Sequence, residues 1–233
     1  MTFAQLTYRE SCGTSRLLGI PAFRAVGTRI AARPLALWPD TRGIVVLAHA
    51  ARALDGRDEV LAGMFRHAGL STLSVDLIAQ QEEHFADVHN NVPLLAKRLL
   101  DFLGLVKTRM LLGELPEQPI GLCAANATSP VIVRVAALRD HDIAALVCRG
   151  GLIDLAGMLY LRSLKSPLLM LVEDTDEQHI ASSRRALQEV RCRKELKLIP
   201  EIGIEFEISS GFEATAVEAS QWFTRHFEEA PPG

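Results

Sequence analysis

Residues 119 to 130 read PIGLCAANATSP, an apolar run that gives way at once to small and polar residues and then to Pro130. This is the pattern of a buried strand turning sharply into a helix, and a proline is tolerated in the first turn of that helix. A side chain lifted into a cleft at such a turn is well placed for nucleophilic chemistry. Two candidates stand three residues apart, Cys123 and Asn126. A cysteine attacks a carbonyl when a neighbouring base holds it as thiolate. An asparagine does not, because its amide is neither nucleophilic nor activated by a histidine base.

The other groups that could share a cleft follow the remaining apolar runs. They are His49, Ala50 and Arg52, then Asp76, then Arg149 with Gly150 and Gly151, then Glu173, Asp174 and Asp176, and last the segment 201 to 206. Arg52 and Arg149 offer positive charge near Asp176 and Glu205. Those four could hold a polar or anionic ligand, or merely pair with one another. His84 and His89 lie among acidic residues in EEHFADVHN, but their spacing fits no metal-ligand pattern, so no metal is expected.

Positioning these groups requires strands whose carboxyl ends converge on one edge of a sheet. The strand candidates are 43 to 49, 71 to 77, 119 to 123, 143 to 150, 167 to 174 and 195 to 200, with an opening hairpin over 26 to 37. The middle runs are continuously apolar, as strands covered on both faces must be. Helical periodicity occupies 57 to 68, 92 to 105, 128 to 138, 180 to 191 and 214 to 228. In the last, Ala214, Val217, Trp222, Phe223 and Phe227 form the expected core stripe, with His226 on its flank. The alternation predicts an α/β fold with a mainly parallel central sheet, helices on both faces and no large cap domain.

The chain has 233 residues, 48% of them hydrophobic, and a net charge of -3. One domain over 26 to 230 preceded by an arm at 1 to 25 fits that size. No basic block marks a nucleic-acid surface, and no segment is long and apolar enough for a membrane span. With no secretory pattern at the start, a cytoplasmic location is expected. Cys12, Cys123, Cys148 and Cys192 have neither redox nor metal spacing and read as free thiols.

The segments GIVVLAHA, STLSVDL, PIGLCAANATSPVIVRVAAL, AALVCRGGLIDLAG, SPLLMLVEDTDE, LIPEIGIEFE and ASQWFTRHF follow one another in an order that resembles the α/β-hydrolases. Within them the likeness is to the small single-domain group related to dienelactone hydrolases, often fused to or beside phosphoribosyltransferase domains. The resemblance implies the α/β-hydrolase fold and a G-x-S-x-G elbow carrying the nucleophile. Two registers fit: Gly121 to Ala125, with Cys123 at the centre, or Ala124 to Thr128, with Asn126 there. The second continues without a gap through VIVRVAAL to CRGG and is preferred. Asp176, fifty residues later, then matches the family's acid, while Ile204 in PEIGIEF stands where the family has its histidine. The family's H-G-x-G loop appears as His49-Ala50-Ala51-Arg52.

The resemblance therefore implies a pseudoenzyme with a degenerate triad, in which His49, Ala50, Arg52, Ala127 and Arg149 line a binding cleft. Its ligand would be a small polar or anionic molecule, or it would serve a protein partner, a phosphoribosyltransferase among them. No cofactor is expected. The alternative is an active carboxylic-ester or lactone hydrolase using Cys123, with Asp176 orienting a base from an unexpected place such as His179. Taken alone, His179 reads as the start of an exposed helix, His49 as a buttress of its loop, and Cys123 as a small buried apolar residue.

Overall fold

The computed structural model describes residues 31–36, 41–50, 56–79, 81–139, 141–200 and 210–230. Seven strands form one sheet: β1 (Ala31–Ala36), β2 (Ile44–His49), β3 (Ser71–Asp76), β4 (Ile120–Ala125), β5 (Ile143–Arg149), β6 (Leu168–Glu173) and β7 (Lys194–Ile199). Their spatial order is β1-β3-β2-β4-β5-β6-β7. The strand β1 pairs antiparallel with β3, and every other neighbouring pair is parallel. The described part of the expected hairpin is thus a single edge strand on β3; residues 26–30 and 37 lie outside the described residues, as does the arm at 1–25.

The helices are α1 (Gly56–His67), α2 (Ala86–His89), α3 (Val92–Leu111), α4 (Ser129–Leu138), α5 (Met158–Ser163), α6 (Glu177–Glu189) and α7 (Ser210–Glu229). The sheet separates two apolar layers. Ile44, Val46, Ala48, Leu122 and Leu146 face α3, α4, α5 and α6, whereas Val45, Leu47, Cys123, Ala145 and Val147 face α1 and α7. Neighbouring residues of one strand thus enter opposite cores, which is why the runs lack polar alternation. No helix among the described residues is long and apolar enough to cross a membrane.

The helix α7 closes the second layer by close approach. Gly121 in β4 lies so near it that an added Cβ would stand 2.5 Å from Phe223, and one on Gly43 would stand 2.3 Å from Phe227. Phe223 also meets Phe65 of α1 edge-on, with ring centroids 5.8 Å apart. Two expectations for α7 are corrected. Val217 is 44% exposed, and the buried positions are Phe212, Ala216, Ala219, Trp222, Phe223 and Phe227. His226 belongs to that buried face, packed on Trp222 with Nδ1 3.0 Å from a Glu229 oxygen, and burial holds its pKa below the usual histidine value. The stripe is set by the three-four spacing from Phe212, and Val217 lies off it.

Candidate functional site

The site is built where β4 ends. Ala125 still has extended geometry, with φ −123° and ψ 150°, but Asn126 turns to φ 50°, the one positive φ at a non-glycine residue among those described. A 3₁₀ turn over Asn126–Thr128 then leads into α4 with Pro130 in its first turn. Asparagine tolerates this left-handed conformation better than most residues. The turn is held by the end of β5. Gly151, at φ 94°, lies so close that a Cβ there would stand 2.1 Å from the Asn126 carbonyl oxygen.

Asn126 is exposed at this turn, whereas Cys123, three residues earlier, is fully buried within β4 and faces the α1 and α7 layer. Burial pushes the Cys123 thiol above its ordinary pKa, and the nearby Arg149 charge offsets that only in part. Cys148 is likewise buried, with Sγ 3.7 Å from the Ser129 carbonyl oxygen.

In front of the turn is a cavity of about 180 Å³ lined by Asn126, Arg149, Gly150, Glu173, Asp176 and His179, with Leu171, Ile199, Phe212 and Thr215 as further walls. Asp176 caps the N-terminus of α6: its Oδ1 accepts the backbone N–H of His179 at 3.0 Å, and Oδ2 lies 2.7 Å from His179 Nδ1. His179 is therefore not on the open surface expected of it; its side chain is 25% exposed and turned to the cavity. The physical reason is the cap, which binds backbone and ring of the same residue to one carboxylate.

The expected ligand residues are distributed differently. Arg149 lines the cavity but pairs with Asp58, 4% exposed in the first turn of α1, at 3.6 Å. His49 Nε2 lies 3.2 Å from the other Asp58 oxygen. His49 and Arg149 thus converge on one buried carboxylate, which bridges β2, β5 and α1. The Ala50 carbonyl accepts from His89 Nδ1 at 2.7 Å, and His89 Nε2 lies 2.9 Å from the Glu83 carbonyl, so that imidazole ties two loops together. Ala127 lies in the 3₁₀ turn beside Asn126, and neither Ala50 nor Ala127 lines the cavity. Arg52 and Ile204 lie outside the described residues, as does Glu205.

Sequence reasoning passed over Asp58, whose only signal was an acidic residue near the start of a helix, and placed His179 on the surface. The i, i+3 relation of Asp176 and His179 after a strand was the available signal for the second.

No protein-family model matches the chain. Two curated proteins of Mycobacterium tuberculosis, from strains CDC 1551 and H37Rv, are each named "putative phosphoribosyl transferase" and are 31% identical to it over 187 residues. The match covers 79% of this chain, which spans 41% of the length of those relatives. Among solved structures, dienelactone hydrolase from Anabaena variabilis superposes with a TM-score of 0.76 at 28% identity, covering 86% of this chain and 94% of that one. Est1E from Butyrivibrio proteoclasticus does so at 0.70 and 11% identity, covering 88% and 97%. With its parallel sheet, strand order and sharp turn after β4, this chain has the α/β-hydrolase fold.

Proposed function

We propose that this chain is a ligand-binding or regulatory module of the α/β-hydrolase fold that does not hydrolyse through an acyl-enzyme. The observation that carries the reading is Asn126 at the strained turn after β4. Its amide has no lone pair basic enough to attack a carbonyl and no proton that histidine could remove. Cys123, the nucleophile of the alternative hydrolase, is sealed in the core with its thiol held protonated, and a thiol in that state is unreactive.

The cavity also suggests what it holds. Its cation, Arg149, is drawn toward Asp58 and Cys123, while Glu173 and Asp176 contribute negative charge. That balance favours a small neutral polar ligand over an anion. The volume of about 180 Å³ lies below the ~300 Å³ at which ordinary ligand pockets begin. We assign the activity in the name of the mycobacterial relatives to the parts of them outside the matched region, for which this domain would be a neighbour.

Intact-mass analysis after a fluorophosphonate and, separately, iodoacetamide tests the reading. Native protein should take no adduct at Asn126 or Cys123, and Cys123 should alkylate only after denaturation. Stoichiometric native alkylation of Cys123, or a fluorophosphonate adduct anywhere in the cavity, overturns it. Thermal melts with γ-butyrolactone and with inorganic phosphate test the charge argument: saturable stabilisation by phosphate alone would refute a neutral ligand.

A further inference from the structure

In the sequence, nucleophile, base and oxyanion loop all depart from the hydrolase pattern. The structure places a histidine in the cavity from an element where that pattern has none. The Asp176 carboxylate is fixed twice, by the His179 backbone N–H at 3.0 Å and by His179 Nδ1 at 2.7 Å. In a neutral imidazole, a carboxylate at Nδ1 holds the single ring proton there and leaves Nε2 with its lone pair, the form in which imidazole accepts a proton. No described residue is hydrogen-bonded to Nε2, and the ring is exposed enough to exchange protons with water.

The imidazole also lies beside the turn residue. His179 and Asn126 line one cavity, and both reach the space above Gly150. A Cβ on that glycine, which has φ 68°, would stand 3.1 Å from Asn126 Oδ1 and 3.5 Å from His179 Nδ1. A side chain at residue 150 would crowd the Asn126 amide and touch the imidazole.

We propose that Asp176 and His179 form a competent proton-accepting pair beside residue 126, in the same cavity, so that this cleft lacks a nucleophile but not a base. The base comes from the first turn of α6, in place of the loop after the last strand. Asp176 is a positioning residue that fixes the imidazole. The inference concerns proton transfer alone and stands apart from which ligand the natural cavity binds.

The consequence is that Asn126→Ser should create a hydrolase for small esters. The serine hydroxyl proton would pass to His179 Nε2 as Oγ bonds to the ester carbon. The ester C–O bond would then break, and the departing alcohol would take that proton from His179. Water would repeat the sequence, releasing the acid and restoring serine.

The experiment uses the full chain with p-nitrophenyl acetate and a fluorophosphonate. N126S should label stoichiometrically at position 126 and turn over the ester. In the N126S background, His179→Gln should lower kcat by ~100-fold or more, the lower range of general-base contributions, with KM little changed. Asp176→Asn retains the helix cap, so it should lower kcat while lowering Tm only slightly. A folded N126S that neither labels nor exceeds wild type, or whose activity survives H179Q, overturns the proposal. Should N126S fold poorly, wild-type protein still decides: its proton spectrum at low temperature should hold a far-downfield Nδ1–H resonance that H179Q removes, and its absence also overturns the pairing. Labelling of the wild type, by contrast, would refute the non-covalent reading of the natural chain without touching this pair.

Discussion

Asp76 sits at the carboxyl end of β3, paired in register with His49, and its Oδ1 accepts the backbone N–H of Ile78 at 3.0 Å. Burial, reinforced by the nearby Glu83 charge, raises its pKa from 3.8 to about 6, against the opposing pull of the Ile78 N–H and His89. A carboxyl whose folded pKa is raised binds its proton more tightly in the native state than in the unfolded one. The resulting stabilisation is complete below about pH 3.8 and is lost as pH rises through about 6. The shift corresponds to a ceiling of about 3 kcal/mol. Because the group is partly exposed, screening reduces this to about 1 kcal/mol. Asp76→Asn retains an oxygen for Ile78 and carries no charge. It should therefore match wild type in urea unfolding near pH 4 and exceed it by about 1 kcal/mol at pH 7.5. The double difference cancels every other titrating group. An Asn variant that is equally or more destabilised at pH 7.5 would show that His89 and Ile78 favour the charged form, and the reasoning would fail.

Three further outcomes are expected. Gly121→Ala pushes a methyl into Phe223 and Phe227 and should cost ~1–3 kcal/mol in urea unfolding, the usual range for an overpacked core. Asp176→Ala should cost about 1 kcal/mol by removing the α6 cap, while Asp176→Asn should cost a few tenths, measured by thermal melts. Arg98, 7% exposed, donates to the Leu77 carbonyl at 2.8 Å and to Glu82 at 2.7 Å; Arg98→Met leaves both without that donor and should cost about 1–3 kcal/mol, with Glu82 losing the partner that lowers its pKa.

The fold was legible because its signals are local. Apolar runs such as GIVVLAH and PLLMLVED read as strands covered on both faces, and the observed β2 and β6 lie within those runs. The turn after PIGLCAA was legible for the same reason: an apolar run ends, small residues follow, and a proline opens the helix. Sequence alone also determined that residue 126 is an amide, and therefore that it has no nucleophilic atom.

Which residues meet was decided by the tertiary structure. Asp58, His49 and Arg149 come from α1, β2 and β5, and no spacing along the chain announces that one buried carboxylate joins them. Which face of α7 is buried was decided by packing: Phe223 and Phe227 lie against Gly121 and Gly43, and His226 is buried on the stripe that continues from Phe212, while Val217 is exposed. Asp176 and His179 are neighbours in sequence, but their sharing one cavity with Asn126 depends on β4, β5 and β6 lying side by side, with Gly150 between the two side chains. Residue type limits what chemistry a side chain can do; the packing of the sheet decides what stands opposite it.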